Sequence, residues 1–263
     1  MANTDRPTIV LVHGGWHTPP LYDKFVARLR GAGYEVHVPR LVTMNGSRPP
    51  NADLYTDSAL IRSYVESLAE AGRKIVVLMH SYGGQVGTNA LTGLGLETRQ
   101  KENGASTGGI TRLVYITAFA LDEGEGMMDM VTKMGNADLI PLAFDFADDG
   151  TAVSRDAKNL LVGPPGPGIL DEDVDREVAR FERWNGSAMS QPLRSAAWRD
   201  IPVSYVCCKN DMMVPITYQQ VFIDKLKGLG KDVLVFELET GHCPQITMPD
   251  QLADIVLGIV GKE

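Results

Sequence analysis

No run of about 18 apolar residues occurs in this chain of 263 residues, so the sequence offers no candidate for a membrane-spanning helix. The start, Met1 to Pro7, is polar and leads straight into an apolar segment, without the charged and apolar regions of a secretory leader; a cytoplasmic protein is expected. Clustered Lys and Arg are missing too, and a formal net charge of −8 argues against nucleic acid or an anionic membrane as partner. Cysteine is scarce. Cys207, Cys208 and Cys243 cannot all pair, and they read as small buried hydrophobes in a reducing compartment. There is no CxxC pair, and apart from His13 and His17, four apart in a glycine-containing loop rather than on a helix, the histidines His37, His80 and His242 show no i,i+4 spacing, so no metal site is expected.

What is present is an ordinary globular composition, 44% hydrophobic and 22% charged, in a length that a single α/β domain commonly has. Apolar runs alternate with segments of helical period. Leu21, Phe25, Val26 and Leu29 form one stripe, followed by an expected strand at 34–38. Leu54, Ile61, Tyr64, Val65 and Leu68 form the next, closed by Gly72. The stretch from Gln100 to Gly109 reads as an exposed turn, 112–119 as a strand, and Leu252, Ile255, Val256 and Ile259 mark a last helix. Strand and helix in alternation favour a mostly parallel sheet with helices on both faces.

The most informative stretch is Met79-His80-Ser81-Tyr82-Gly83-Gly84, directly after the apolar run Ile75 to Leu78. It has the form of a strand turning sharply into a helix with a serine at the bend, where Oγ stands clear of the backbone. Met79 fills the place of the first glycine in the usual G-x-S-x-G. A serine hydroxyl needs an imidazole to take its proton, and the imidazole needs a carboxylate to hold its tautomer. Both follow in chain order. The strand-like run 203–208 leads into Lys209-Asn210-Asp211, and the run 233–238 leads through Glu239-Thr240-Gly241 to His242. Asp211 also opens the D-x-x-x-P form Asp211-Met212-Met213-Val214-Pro215. Asp122 and Glu123 are rival acids, and His17 is a rival base. The amide of Gly15 or Trp16, after the strand at 8–12, can pair with that of Tyr82 as a two-donor oxyanion hole. His80 is read as a packing or hydrogen-bonding residue.

His13-Gly14-Gly15-Trp16, the Ser81 turn, Asp211 and His242 together resemble the α/β-hydrolase fold superfamily. The paired His-Gly-Gly and His-Ser-Tyr-Gly-Gly segments are similar to the branch that holds small plant methylesterases and hydroxynitrile lyases. The resemblance covers residues 8–120 and 200–263. It implies an α/β-hydrolase core at 1–120 and 200–263, with an inserted helical lid at 121–199. In that insertion Met127, Met128, Met130 and Met134 cluster, before Phe144, Phe146, Phe181, Trp184 and Trp198. Trp16, Met127, Met128 and Met212 are expected to touch a small apolar ester or lactone, a substrate that needs no cofactor. Methionine suits apolar ligands of uneven shape, although these methionines can equally form the lid's own core. Two other functions share the residues. One is carbon–carbon bond cleavage, for which lyases of the resembled branch often use a pocket lysine such as Lys209; the other is a catalytically silent receptor. Substrate identity and oligomeric state are open.

Overall fold

The computed structural model describes residues 6–104 and 106–263, so the polar start at 1–5 lies outside the described residues. Among the described residues nine strands form: β1 (Thr8–Val12), β2 (Val36–His37), β3 (Lys74–His80), β4 (Gly109–Ile116), β5 (Phe144–Phe146), β6 (Thr151–Ser154), β7 (Trp184–Asn185), β8 (Val203–Cys208) and β9 (Val233–Leu238). Six of them make one parallel sheet in the order β2-β1-β3-β4-β8-β9. Every residue of β1 and β8 is buried, as is all of β3 after Lys74, because helices cover the sheet and leave no polar face. The helices are α1 (Asp23–Gly31), α2 (Leu54–Glu70), α3 (Tyr82–Ala90), α4 (Leu96–Asn103), α5 (Met127–Lys133), α6 (Ile140–Ala143), α7 (Asp171–Val178), α8 (Ile216–Gly228), α9 (Pro244–Thr247) and α10 (Pro249–Val260). α1 packs on α10, and α2 on α3.

The chain leaves β1 toward β2 on one side and returns through β3 on the other. That reversal makes the carboxyl ends of β1 and β3 the switch point where open α/β sheets bind ligands. The 13–16 loop follows β1 and Ser81 follows β3, so both lie there.

Four expectations need adjustment. The strand expected at 34–38 shrinks to the two residues of β2. The one expected at 112–119 runs from Gly109 to Ile116, since Thr117 leaves the strand with φ 40°. The expected turn at 100–109 begins inside α4, which buries no residue and therefore shows no apolar stripe; its helix formers carry it to Gly104. Finally, 121–199 is not purely helical. Beside α5, α6 and α7 it holds the antiparallel sheet β5-β6-β7, whose strands of two to four residues are too short for a period to show. Met127, Met130, Phe144, Leu161 and Trp184 of this segment belong to the same continuous core as the sheet.

Candidate active site

Ser81 sits between β3 and α3 at φ 55° and ψ −123°, a conformation that costs a non-glycine residue about 1–3 kcal/mol. The surrounding glycines make the bend possible. A Cβ on Gly83 would collide with the Val12 carbonyl oxygen, and one on Gly84 would lie 2.8 Å from the backbone of Phe119. Met79 is accommodated from the opposite side. A Cβ on Gly87, one turn into α3, would strike the Met79 sulfur, so the glycine missing from the strand is present on the facing helix.

Ser81 Oγ lies 2.8 Å from His242 Nε2, and His242 Nδ1 lies 2.6 Å from Asp211 Oδ2. All three side chains are buried. Asp211 is fixed by further donors: the amides of Met213 (2.6 Å) and Val214 (2.8 Å) on Oδ1, and the Thr117 hydroxyl on Oδ2. With the carboxylate so anchored, His242 presents Nδ1 to Asp211 and Nε2 to the serine, the tautomer that a general base requires. The rivals are engaged elsewhere. Asp122 pairs with Arg199 at 2.5 Å, Glu123 is exposed, and His17 bonds Gly15 O and Cys243 Sγ.

The 13–16 loop, where the oxyanion donors are expected, lies against Ser81, since a Cβ on Gly14 would stand 3.0 Å from Ser81 Cβ. Trp16 has φ 62°, donates its indole N–H to Ala152 O at 3.0 Å, stacks on Phe144 and meets Trp184 edge-on. Tyr82 is anchored through its hydroxyl to Asp57 (2.9 Å), which also accepts from the Thr43 amide (3.0 Å) and hydroxyl (2.6 Å). Burial raises the Asp57 carboxyl above its ordinary pKa.

A cavity of about 430 Å³ opens on Ser81 and His242. Four methionines line it, Met127, Met128, Met189 and Met213, together with Trp16, Phe119 and Phe144. Among its lining residues there is no Asp, Glu, Lys or Arg. Met212, expected at the pocket, is 64% exposed and is not part of this wall; its neighbour Met213 takes the place, because the backbone turns as the 213 and 214 amides cap Asp211. Met130 lies in the core and Met134, half-buried, packs against it; neither lines the cavity. Lys209 is half-exposed and paired with Glu239 at 2.5 Å.

Sequence reasoning missed Thr117, Tyr22, Asp57, Met189 and Met213. Asp57 left a signal, a carboxylate three residues after Leu54 and four before Ile61 on the buried face of α2. Spacing also concealed a cluster drawn from three segments: one possible ligand atom each from His17, His80 and Cys243, all within 4.8 Å of one another. All four ring nitrogens of the two histidines already have hydrogen-bond partners inside the protein, so binding an ion would break at least one such bond.

Comparison with known proteins agrees with this architecture. The chain is 33% identical to "Probable hydrolase R7" of Phoma sp. over 97% of its own length and 99% of the relative's. It is 24% identical to a pyrethroid hydrolase of Sphingobium wenxiniae, over 94% of this chain and 85% of that one. Its fold matches tomato methylketone synthase I with a TM-score of 0.74 at 18% identity, covering 98% of each chain. The model of the alpha/beta hydrolase family matches residues 9–255, and the chain belongs to that family.

Proposed function

We propose that the protein is a serine hydrolase that cleaves a carboxylic ester or lactone of a mainly apolar small molecule through an acyl-enzyme. The observation that carries this reading is the hydrogen-bonded series Ser81, His242, Asp211 opening on an apolar cavity. Ser81 attacks the carbonyl carbon while His242 Nε2 takes the hydroxyl proton, and Asp211 holds the imidazole and offsets its positive charge. The amides of Tyr82 and of Gly15 or Trp16 receive the oxyanion. His242 then returns the proton to the leaving alcohol and activates the water that releases the acid. The absence of formal charge among the cavity's lining residues, apart from His242 when protonated, favours uncharged apolar substrates, and methionine walls adapt to uneven shapes. The names of two relatives, a probable hydrolase and a pyrethroid hydrolase, support hydrolysis. Lyase chemistry that relies on a pocket lysine finds no support, since Lys209 is paired at the surface.

Ser81→Ala should lower turnover of model esters by at least about 10⁴-fold without loss of fold, and should abolish labelling by a fluorophosphonate. Activity within tenfold of the parent would overturn the assignment. Product analysis on esters beside cyanohydrins separates hydrolysis from carbon–carbon cleavage.

A further inference from the structure

Two hydrogen-bond relays run from the loop that carries the base to successive residues, Gly15 and Gly14, of the loop that carries the candidate oxyanion donors, and each passes through a buried histidine. The first starts at Cys243, next to the base. Its Sγ lies 3.2 Å from His17 Nε2, and His17 Nδ1 lies 2.6 Å from the Gly15 carbonyl oxygen. A carbonyl only accepts, so Nδ1 carries the hydrogen. The neutral ring then accepts at Nε2, and the thiol is its donor. Burial, with the nearby His242 and His13 rings, brings the His17 pKa down to about 3, and burial together with the Asp211 charge pushes the Cys243 thiol up, so both stay neutral at ordinary pH. The second relay starts at the carbonyl of His242 itself. His80 Nε2 donates to it at 2.7 Å, the Tyr22 hydroxyl donates to His80 Nδ1 at 2.7 Å, and the Gly14 amide donates to the Tyr22 oxygen at 3.2 Å.

The first relay ends on the peptide that joins the two candidate donor residues, Gly15 and Trp16. In a trans peptide the carbonyl and the following N–H point in opposite directions, so a donor that holds the Gly15 carbonyl on one side aims the Trp16 N–H to the other. Trp16 adopts φ 62°, which a tryptophan does not take without outside constraint. A hydrogen bond to the carbonyl also polarises the peptide and strengthens its N–H as a donor. We infer that His17 is a positioning residue for the oxyanion hole: through its Nδ1–H bond to the Gly15 carbonyl it orients and polarises the Gly15–Trp16 peptide of the donor loop, and through Cys243 it keeps that loop in register with His242. The role rests on the serine-hydrolase reading, in which Gly15 or Trp16 supplies the second donor.

The test compares His17→Leu, which removes the bond, with His17→Asn, whose side-chain amide can donate from nearly the same place as Nδ1. The readouts are kcat and KM on one apolar ester and the Ki of a trifluoromethyl ketone with a matching tail, whose adduct with Ser81 carries the oxyanion. His17→Leu should lose about 10- to 100-fold in kcat, less than the 10²–10³ of a deleted donor, and the ketone's Ki should rise by a similar factor. KM should stay within threefold, and the midpoint of the kcat–pH profile should not move, because His17 does not titrate in that range. His17→Asn should recover most of the loss. An unchanged Ki in His17→Leu, or His17→Asn as poor as His17→Leu, would overturn the role and leave His17 a packing residue. Should His17→Leu fail to fold, Cys243→Ser against Cys243→Ala decides: serine keeps a donor to Nε2 and should lose clearly less in Ki than alanine, and equal values would count against the relay. Ser81→Ala in the same assay keeps the two readings apart, since its retained activity would remove the hydrolase mechanism itself.

Discussion

Asp211 and Asp122 both follow strands of the parallel sheet at its carboxyl edge, and only the contacts around each decide between them. Asp211 faces His242 and accepts from Met213, Val214 and Thr117, whereas Asp122 is tied to Arg199. Asp211→Asn places an amide donor where His242 Nδ1 needs an acceptor, so kcat should fall by about 10³ to 10⁴, while Asp122→Asn should change it less than about tenfold. Steady-state kinetics on one ester compares them directly, and the reverse order would move the acid to the end of β4. Thr117→Val should have an intermediate effect, because it removes one hydrogen bond to Asp211 and leaves the carboxylate itself in place. Ser81, Asp211 and His242 were legible in the sequence because each is announced by its own strand and loop. Thr117 was not. Its strained backbone and its bond to Asp211 appear only when β4 and β8 lie side by side, and nothing in the stretch Ile116 to Phe119 distinguishes it from strand.

At the scale of elements, the interface of β3 with α3 shows why an imperfect elbow motif still gives the turn. The bend needs one small residue where strand and helix cross, and whether strand or helix supplies it does not matter to the packing. Here Gly87 supplies it and the Met79 side chain fills the space. Gly87→Ala should cost about 1–3 kcal/mol by overpacking, and Met79→Ala about 2–5 kcal/mol by leaving a cavity. The double variant should fall short of the sum by at least about 1 kcal/mol, measured by urea unfolding; strict additivity would mean the two side chains do not compete for one space. Helix α5 divides its methionines in a similar way. Met127 and Met128 line the cavity, while Met130 lies in the core and Met134, at the helix's C-cap, packs against it half-buried, so both readings of the methionine cluster hold for different residues. Replacing Met128 by Ala should shift the preference between short and bulky esters by about 1–3 kcal/mol, whereas Met130→Ala should lower the unfolding midpoint and leave the preference alone. If both variants shift preference and midpoint together, α5 is a single packing unit. Composition disclosed the cluster. Which methionines face inward depends on the rotation of α5, a seven-residue helix too short for its period to reveal it.

Over the whole molecule, the sheet order places the 13–16 loop and Ser81 at the switch point between β1 and β3, and alternating strand and helix patterns were enough to anticipate that parallel sheet. What the patterns could not show is how much polar material the fold buries beneath that point. His13, His17 and His80 are each no more than 1% exposed, yet no single segment marks them as a group. Burial brings His13 down to about 4 and His17 to about 3, and it holds His80 well below 6.5. A histidine depressed in the folded state stays neutral while the unfolded chain takes up its proton. Stability is therefore fully present above about pH 6.5 and is lost as pH falls toward the folded pKa, at about 1.4 kcal/mol per pH unit for each such group. Between pH 7.5 and 5.5, His13 and His17 together should cost about 3 kcal/mol, and His80 adds to the loss in the same sense. Asp57 opposes it, because its raised carboxyl takes up a proton in the folded state before the unfolded chain does. Exposed ion pairs such as Arg28 with Asp250 contribute about 1 kcal/mol or less and cannot offset a change of this size. Against a total stability of about 5–15 kcal/mol, the loss should be plain in urea unfolding at the two pH values, and His13→Asn should flatten the dependence by about one proton. A change below about 1 kcal/mol would mean that these rings meet water in the folded state, and the neutral relays that orient the oxyanion loop would then lack the environment that keeps them neutral.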